Sequence, residues 1–387
     1  MIAEILEREL HQRRELKEFR TVKRRPSDDI DFSSNDYLGL IHSGELDKSL
    51  RKALVHAPED LYLSGAGSSR LIAGSSRFIE EFEEWLAHFY GSESALLFTS
   101  GYSANLGLIS SLGALSDFVF LYDEQSHASI RDGFRLARVK SYRFAHNDLN
   151  NLEGLLKAQK KEVIIFVEAV YSMEGDTAPL PEIVELAEQY GAHVVVDEAH
   201  AVGVYGTAGD GMTAHMDLTD RVLARVCGWG KAHGCQGATI VTTTQLRDFL
   251  INFSRPFIYS TGISPLLVLT AQCSYQIIQK AAAERTKLFH LITTWNEKSI
   301  SEEIIRSQNL SPIQTLQFDE MTERNTDRLR ELVVYLQEHH FHIVPIYPPT
   351  VPRGGERIRI SLHNFNSFEE VSTLIQLSEG FVAKGNR

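Results

Sequence analysis

Cysteine is scarce in this chain: Cys227, Cys235 and Cys273 are the only three in 387 residues, and no C-x-x-C pair occurs. An odd, unclustered set excludes a disulfide framework and a structural zinc site, so no metal is expected and a reducing cytoplasm fits. Positive charge is also short. Lys and Arg total 39 against 51 Asp and Glu, a net charge of −12, which argues against a nucleic-acid partner because phosphate binding needs a basic face. Long apolar runs are missing too, and without ~18 consecutive apolar residues no membrane span is expected. The stretch Met1 to Leu10 is too acidic and too amphipathic for a signal peptide. The local basic residues Arg13-Arg14 and Lys23-Arg24-Arg25 read equally well as solvated surface or as a steering patch for an anionic substrate.

One further absence decides between two chemistries. Val194-Val195-Val196-Asp197-Glu198-Ala199-His200 looks like the magnesium-binding motif of a nucleotide-driven helicase. That reading requires an upstream G-x-x-x-x-G-K-[ST] phosphate loop. Gly65-Ala66-Gly67-Ser68-Ser69-Arg70 has no Gly-Lys pair, and Gly230-Lys231 is followed by Ala232 and lies downstream of the acid. The ATPase reading falls.

What is present is a soluble composition, 43% hydrophobic and 23% charged, long enough for one large domain and smaller ones. Apolar runs alternate with helical patterns from about 75 to 290, which predicts an α/β fold with a mostly parallel, seven-stranded, doubly wound sheet. The strands are expected at 95–99, 118–122, 140–144, 163–168, 193–197, 222–227 and 238–243. Helices are expected over 78–90, 102–113, 148–160 and 181–190, and a long one begins near Ser264-Pro265, since proline suits a first helical turn. Ile2, Ile5, Leu6 and Leu10 are spaced for an N-terminal helix over about 2–20. Beyond about 295 the pattern reads helix, strand (Phe341 to Val344), strand (Arg357 to Ser361) and helix (367–384), a small α+β unit. The expected division is 1–45, an N-terminal helix and connector; 46–290, a large cofactor-binding domain; and 291–387, the C-terminal domain.

Open α/β sheets bind ligands outside the carboxyl ends of their strands. Asp197 ends one such strand, and Lys231 follows the next inside Gly228-Trp229-Gly230-Lys231-Ala232-His233-Gly234. Most lysines are solvated, but glycines and a tryptophan around this one are odd for a surface loop. An acid and an amine at one sheet edge suit pyridoxal phosphate, whose aldehyde needs a lysine and whose ring nitrogen needs a carboxylate. Ser100, Gly101 and Tyr102 open a helix after a strand, where backbone N–H groups bind phosphate, although an ordinary N-cap would look the same. His127 could stack on a heterocycle or be one structural histidine among 15. Ser172 and His200 sit on neighbouring loops where both could reach the same ring.

Taken in order, Ser33-Ser34-Asn35-Asp36-Tyr37-Leu38-Gly39-Leu40, Gly67-Ser68-Ser69-Arg70, Thr99-Ser100-Gly101-Tyr102, Asp123-Glu124-Gln125-Ser126-His127-Ala128-Ser129, Ser172-Met173-Glu174-Gly175-Asp176, Asp197-Glu198-Ala199-His200 and Tyr259-Ser260-Thr261 resemble the α-oxoamine synthases, pyridoxal-phosphate enzymes of fold type I. The resemblance runs from about 30 to 362. It implies an aspartate-aminotransferase-like fold, with Lys231 holding the cofactor and moving the substrate's α-proton. By the same resemblance Asp197 pairs with the pyridine nitrogen, His127 stacks on the ring, and Ser172 and His200 bind its phenolate oxygen. Ser100, Gly101 and Tyr102 would meet the phosphate, and Thr261 would reach it from a second subunit of a homodimer. Asn35 and Arg359 would receive an amino acid's carboxylate.

The implied reaction is a decarboxylative Claisen condensation of an amino acid with an acyl thioester, carried on coenzyme A or on an acyl-carrier protein. The chain length and the Asn-Asp-Tyr-Leu-Gly-Leu form resemble most the members that join L-alanine to a pimeloyl thioester in biotin synthesis. Members using glycine with acetyl-CoA, or serine with a palmitoyl thioester, are alternatives. A non-catalytic pyridoxal-phosphate-binding protein is the alternative of a different class. Two positions depart from the family pattern: Gly228 stands where a Thr or Ser is usual, and Phe78-Ile79 occupy a region where a histidine is usual.

Overall fold

Valine-rich runs with no polar face can settle only where helices cover both sides of a sheet. Seven strands do so: β1 (Ser94–Phe98), β2 (Phe118–Asp123), β3 (Ser141–Phe144), β4 (Glu162–Glu168), β5 (His193–Asp197), β6 (Ala224–Gly228) and β7 (Ala238–Thr242). Their order is β1-β7-β6-β5-β4-β2-β3. Only β7 runs against its neighbours, β1 and β6, so the other six share one direction. Alternate residues feed two cores. Val163, Ile165, Val194 and Val196 pack with Ile79, Phe82, Leu152 and Ile183 on one face. Ile164, Phe166, Val195 and Val226 pack with Leu108, Ile109, Phe134 and Leu250 on the other. This computed structural model describes residues 1–16, 18–22, 24, 26, 28–58, 61–298, 303–319 and 322–385.

All seven expected strands are present within two residues of the predicted bounds. The long helix is Pro265–Ile278, and the Ser264 hydroxyl accepts from Leu267 N–H as its cap. The N-terminal helix is shorter than predicted, Ile2–Glu15, and buries no residue, so packing does nothing to extend it. Of the basic stretch that follows it, Lys23 and Arg25 lie outside the described residues.

The C-terminal region departs further from the sequence reading. Four antiparallel strands form its sheet: β8 (Ile304–Arg306), β9 (Ile313–Phe318), β10 (Val344–Ile346) and β11 (Arg357–Ser361), in the order β10-β11-β9-β8. Strands β8 and β9 were not predicted, because Gln314, Thr315 and Gln317 break the apolar pattern of β9. The strand predicted from Phe341 to Val344 divides. Phe341–His342 pairs in parallel with Ile30–Asp31, and Val344–Ile346 joins the sheet. The N-terminal connector is thereby stitched to the C-terminal unit, which sets Asn35 and Tyr37 beside β11.

A second stitch fixes the loops beyond β2 and β4. His146 lies between Asp123, 2.8 Å from its Nδ1, and Asp176, 2.6 Å from its Nε2. Burial alone would lower its pKa, but the two carboxylates outweigh burial and hold it up at about 9. The folded value lies above the ordinary 6.5, so this stabilisation is complete below that pH and is lost as pH rises through about 9. The free energy of unfolding in urea should therefore fall across that window, and His146→Gln should flatten the fall. An unchanged slope in the variant would contradict the assignment.

Candidate active site

Six co-directed strands deliver their C-terminal ends to one edge of the sheet, and the loops there enclose a cavity of about 280 Å3. Asn35, Ser100, Gly101, Tyr102, His127, Asp197 and Lys231 all line it, seven residues singled out from sequence that come from five separate segments. Asp197 and Glu168 are paired neighbours at the ends of β5 and β4. Lys231 follows β6 by three residues.

The lysine has no hydrogen bond or ion pair among the described residues. Burial, opposed by the charges of Asp197 and Glu168, lowers its pKa to about 8. Neutral amine is therefore available near neutral pH, as a nucleophile toward an aldehyde requires. Glu168 moves the other way: burial, reinforced by Asp197, raises its pKa, while it accepts the His127 backbone N–H.

Asp197 is held by a chain of neutral donors. Its Oδ1 accepts from Ala199 N–H at 2.9 Å and its Oδ2 from Asn105 Nδ2 at 2.6 Å. The same Asn105 nitrogen donates to Ser129 Oγ at 3.0 Å, and Ser129 Oγ lies 2.9 Å from His127 Nδ1. Because the Ser129 N–H also donates to that Nδ1, the histidine carries its proton on Nε2 when neutral. Carboxylate and ring are thus positioned together. Behind them, Glu198 accepts from Met212 N–H, Thr213 N–H and Arg225 Nε, at 2.6, 3.1 and 2.9 Å, which pins the loop that follows Asp197.

At Ser100 the N-cap reading holds, and the residue also lines the cavity. The Ser100 hydroxyl and Ser103 form a capping box on helix Gly101–Leu112, while the backbone of the same turn faces the cavity. A Cβ on Gly101 would meet nothing within 4 Å, so the turn is open toward a ligand. The Tyr102 hydroxyl donates to Asp132. Gly228 also lines the cavity, and a Cβ there would approach that of Ala199 to 3.2 Å; the missing hydroxyl goes with a tight approach of two loops. Phe78 and Ile79 belong to helix Arg77–Phe89 and pack against the core.

The remaining predicted residues stand outside the cavity lining. His200 is buried behind it, its Nδ1 2.7 Å from the Tyr37 hydroxyl. Ser172 contributes its carbonyl, which accepts from Arg359 Nε at 2.7 Å. Arg359 also donates to Ser361 Oγ and to Asn35 Oδ1, at 2.9 and 3.0 Å. It is 8% exposed yet forms no ion pair among the described residues, a buried guanidinium whose partners there are all neutral. Thr261 is exposed and does not line the cavity. Sequence reasoning assigned no role to Asn105, Glu168 or Tyr37. Glu168 could have been found by the rule that found Asp197, a carboxylate at a strand's C-terminal end. Asn105 carried no such signal, because it lies inside a helix.

A larger cavity, about 700 Å3, adjoins this region. Tyr171, Met173 and Glu174 around Ser172, and Gln125 before His127, belong to its wall. Arg131, Arg143, Arg353 and Arg357 line it as well; Arg357 pairs with Glu174 and Arg353 with Glu18, while Arg131 and Arg143 are exposed and form no ion pair among the described residues.

Comparison with known proteins agrees with this architecture. The family model for aminotransferase class I and II matches residues 27–375. An 8-amino-7-oxononanoate synthase of Emericella nidulans is 36% identical over 375 residues, covering 91% of this chain and 89% of the relative. The crystal structure of an 8-amino-7-oxononanoate synthase from Francisella tularensis superposes with a TM-score of 0.77 at 27% identity, over 94% of this chain and 100% of that one. A serine palmitoyltransferase from S. paucimobilis, with bound PLP–myriocin aldimine, superposes with a TM-score of 0.86 at 25% identity, over 98% and 97% of the two chains. The chain belongs to the aminotransferase class I and II family and, within it, to the α-oxoamine synthases.

Proposed function

We propose that this chain is a pyridoxal-phosphate-dependent acyltransferase that joins L-alanine to a pimeloyl thioester, releasing CO2 and a thiol, to give 8-amino-7-oxononanoate for biotin synthesis. One observation carries the reading: an unpaired, desolvated Lys231 shares a cavity with Asp197, and beside that cavity stands the buried, carboxylate-free Arg359.

The donor set fits pyridoxal phosphate. Lys231 is free to hold an aldehyde carbon, Asp197 to meet a ring nitrogen, and the open backbone at Ser100, Gly101 and Tyr102 to take a phosphate. Asn105 Oδ1 is buried without a partner, an acceptor left over where the chain alone does not satisfy it. When bound, the cofactor supplies an electron-withdrawing ring that stabilises negative charge on the amino acid's α-carbon.

The chain's own residues do the rest. Arg359 and Asn35 receive the substrate carboxylate, the charge-assisted contact that the guanidinium lacks in the chain alone. Lys231 would hold the cofactor and, once freed by the substrate amine, would take the α-proton and later return one. Asp197 would keep a ring nitrogen protonated, and His127, fixed through Ser129, would cover the ring face. His200 and Ser172 would serve the ring's phenolate oxygen. In the net reaction the α-carbon bonds to the acyl carbonyl, the C–S bond breaks, and the bond to the carboxyl group breaks as CO2 leaves. The cavity lined by Arg131 and Arg143 suits the anionic carrier of the thioester. We assign the working unit as a homodimer in which Thr261, exposed on a single chain, completes the phosphate site of its partner.

Lys231→Ala should lower turnover of L-alanine and pimeloyl-CoA by about 10²–10⁴-fold or more. Thiol release at the wild-type rate would sink the proposal, and preference for glycine or L-serine would change the substrate within the family. Loss of the carboxylate contact in Arg359→Ala should raise KM for L-alanine by roughly 30-fold or more, about 2 kcal/mol or above for an uncompensated charge pair. Since only neutral amine attacks an aldehyde, cofactor uptake by the stripped protein, followed by visible absorbance, should accelerate as pH rises through about 8. Acceleration centred near 10 would place the amine in water.

A further inference from the structure

The mechanism above leaves unexplained a buried phenol that touches both halves of the proposed site. Tyr37 is fully buried, and its hydroxyl lies 2.7 Å from His200 Nδ1, 3.1 Å from Asn35 Oδ1 and 3.4 Å from Arg359. The ring is backed by His363, stacked at 6.5 Å with 25° between the planes. One proton on that oxygen has two acceptors to choose from, His200 Nδ1 and Asn35 Oδ1. The choice fixes the chemistry of the histidine.

The Arg359 guanidinium donates both to Asn35 Oδ1 and to the Tyr37 oxygen. Asn35 Oδ1 is therefore already supplied, whereas among the described residues His200 Nδ1 has no donor except Tyr37. The contact to His200 is also the shorter, and an imidazole nitrogen is more basic than an amide oxygen. Burial keeps the phenol protonated, its pKa raised despite the nearby arginine, and burial keeps His200 neutral, its pKa well below the ordinary value. A neutral imidazole that accepts at Nδ1 must carry its proton on Nε2. That N–H is what an anionic oxygen of the ring requires. A histidine protonated on Nδ1 would offer it a lone pair instead.

We propose that Tyr37 is a positioning residue that sets the tautomer of His200, donating to Nδ1 so that Nε2–H points to the cofactor's phenolate oxygen, and that the same hydroxyl links this contact to the carboxylate pair Asn35 and Arg359. The proposal rests on the pyridoxal-phosphate reading for its purpose. The tautomer itself is a property of the chain and can be read without cofactor.

The test is long-range 1H–15N NMR of protein labelled in its histidines, with and without pyridoxal phosphate, with the His200 signals assigned by their loss in His200→Gln. Wild type should show one protonated nitrogen, Nε2, and an unprotonated Nδ1. Tyr37→Phe, which keeps the ring and deletes one oxygen, should lose that single pattern, giving a mixture or the Nδ1–H form. The visible band of the cofactor-loaded variant should shift at fixed pH as the N–H donor weakens. A wild-type His200 protonated on Nδ1 overturns the proposal without any variant, so it is decided even if Tyr37→Phe fails to fold. An unchanged tautomer and band in a folded variant overturn it equally. Correct tautomers in a protein that makes no aminoketone would instead refute the proposed reaction and leave this inference standing.

Discussion

A charged amine is costly to take out of water, and the site is organised around that cost at Lys231. Two carboxylates, Asp197 and Glu168, stand at adjacent strand ends and favour the ammonium, while burial opposes it, and burial wins by enough to bring the amine near neutrality. Burial drives the Glu168 pKa upward and the neighbouring Asp197 adds to it, while Asp197 is tied by an amide and a backbone N–H. The result is two carboxylates and one desolvated amine in a single cavity, the setting in which a proton can be moved rather than merely held.

Such an arrangement demands rigid support. Glu198, the residue after Asp197, is fully buried and bonded to Arg225, which is also buried and stacks on Tyr90. Breaking a pair of this kind leaves an uncompensated buried charge at about 3–5 kcal/mol. The pair spans β6 and the loop after β5, so it fixes the loops that carry Lys231 and His200 in one frame. The small sheet acts from the other side. Gly175, at φ +79°, packs so closely on β9 that an added Cβ would fall 2.1 Å from the Ile313 carbonyl, and Ser311 donates to its carbonyl. The Ser172 loop is thereby gripped by the element that also carries Arg359 on its neighbouring strand.

The large sheet was legible because its strands are buried on both faces and so read as unbroken apolar runs. The acid, the lysine and the Ser100 turn that line the cavity followed from their places after those runs. The C-terminal sheet was half hidden. Strand β9 buries polar side chains, and Gln314 is satisfied by the carbonyls of Asn309 and Ser311 in the turn just before it, which no apolar periodicity announces.

The sequence by itself determined the fold class, the direction of most strands and the place of a lysine and an acid after neighbouring strands, because local patterning and strand-end position are encoded in consecutive residues. Only the tertiary structure decided which groups support them. Asn105 reaches Asp197 across 92 positions, Tyr37 reaches His200 across 163, and Arg359 reaches Asn35 across 324. Hydrogen bonds over such separations depend on how whole elements pack, and no short stretch of residues carries that information.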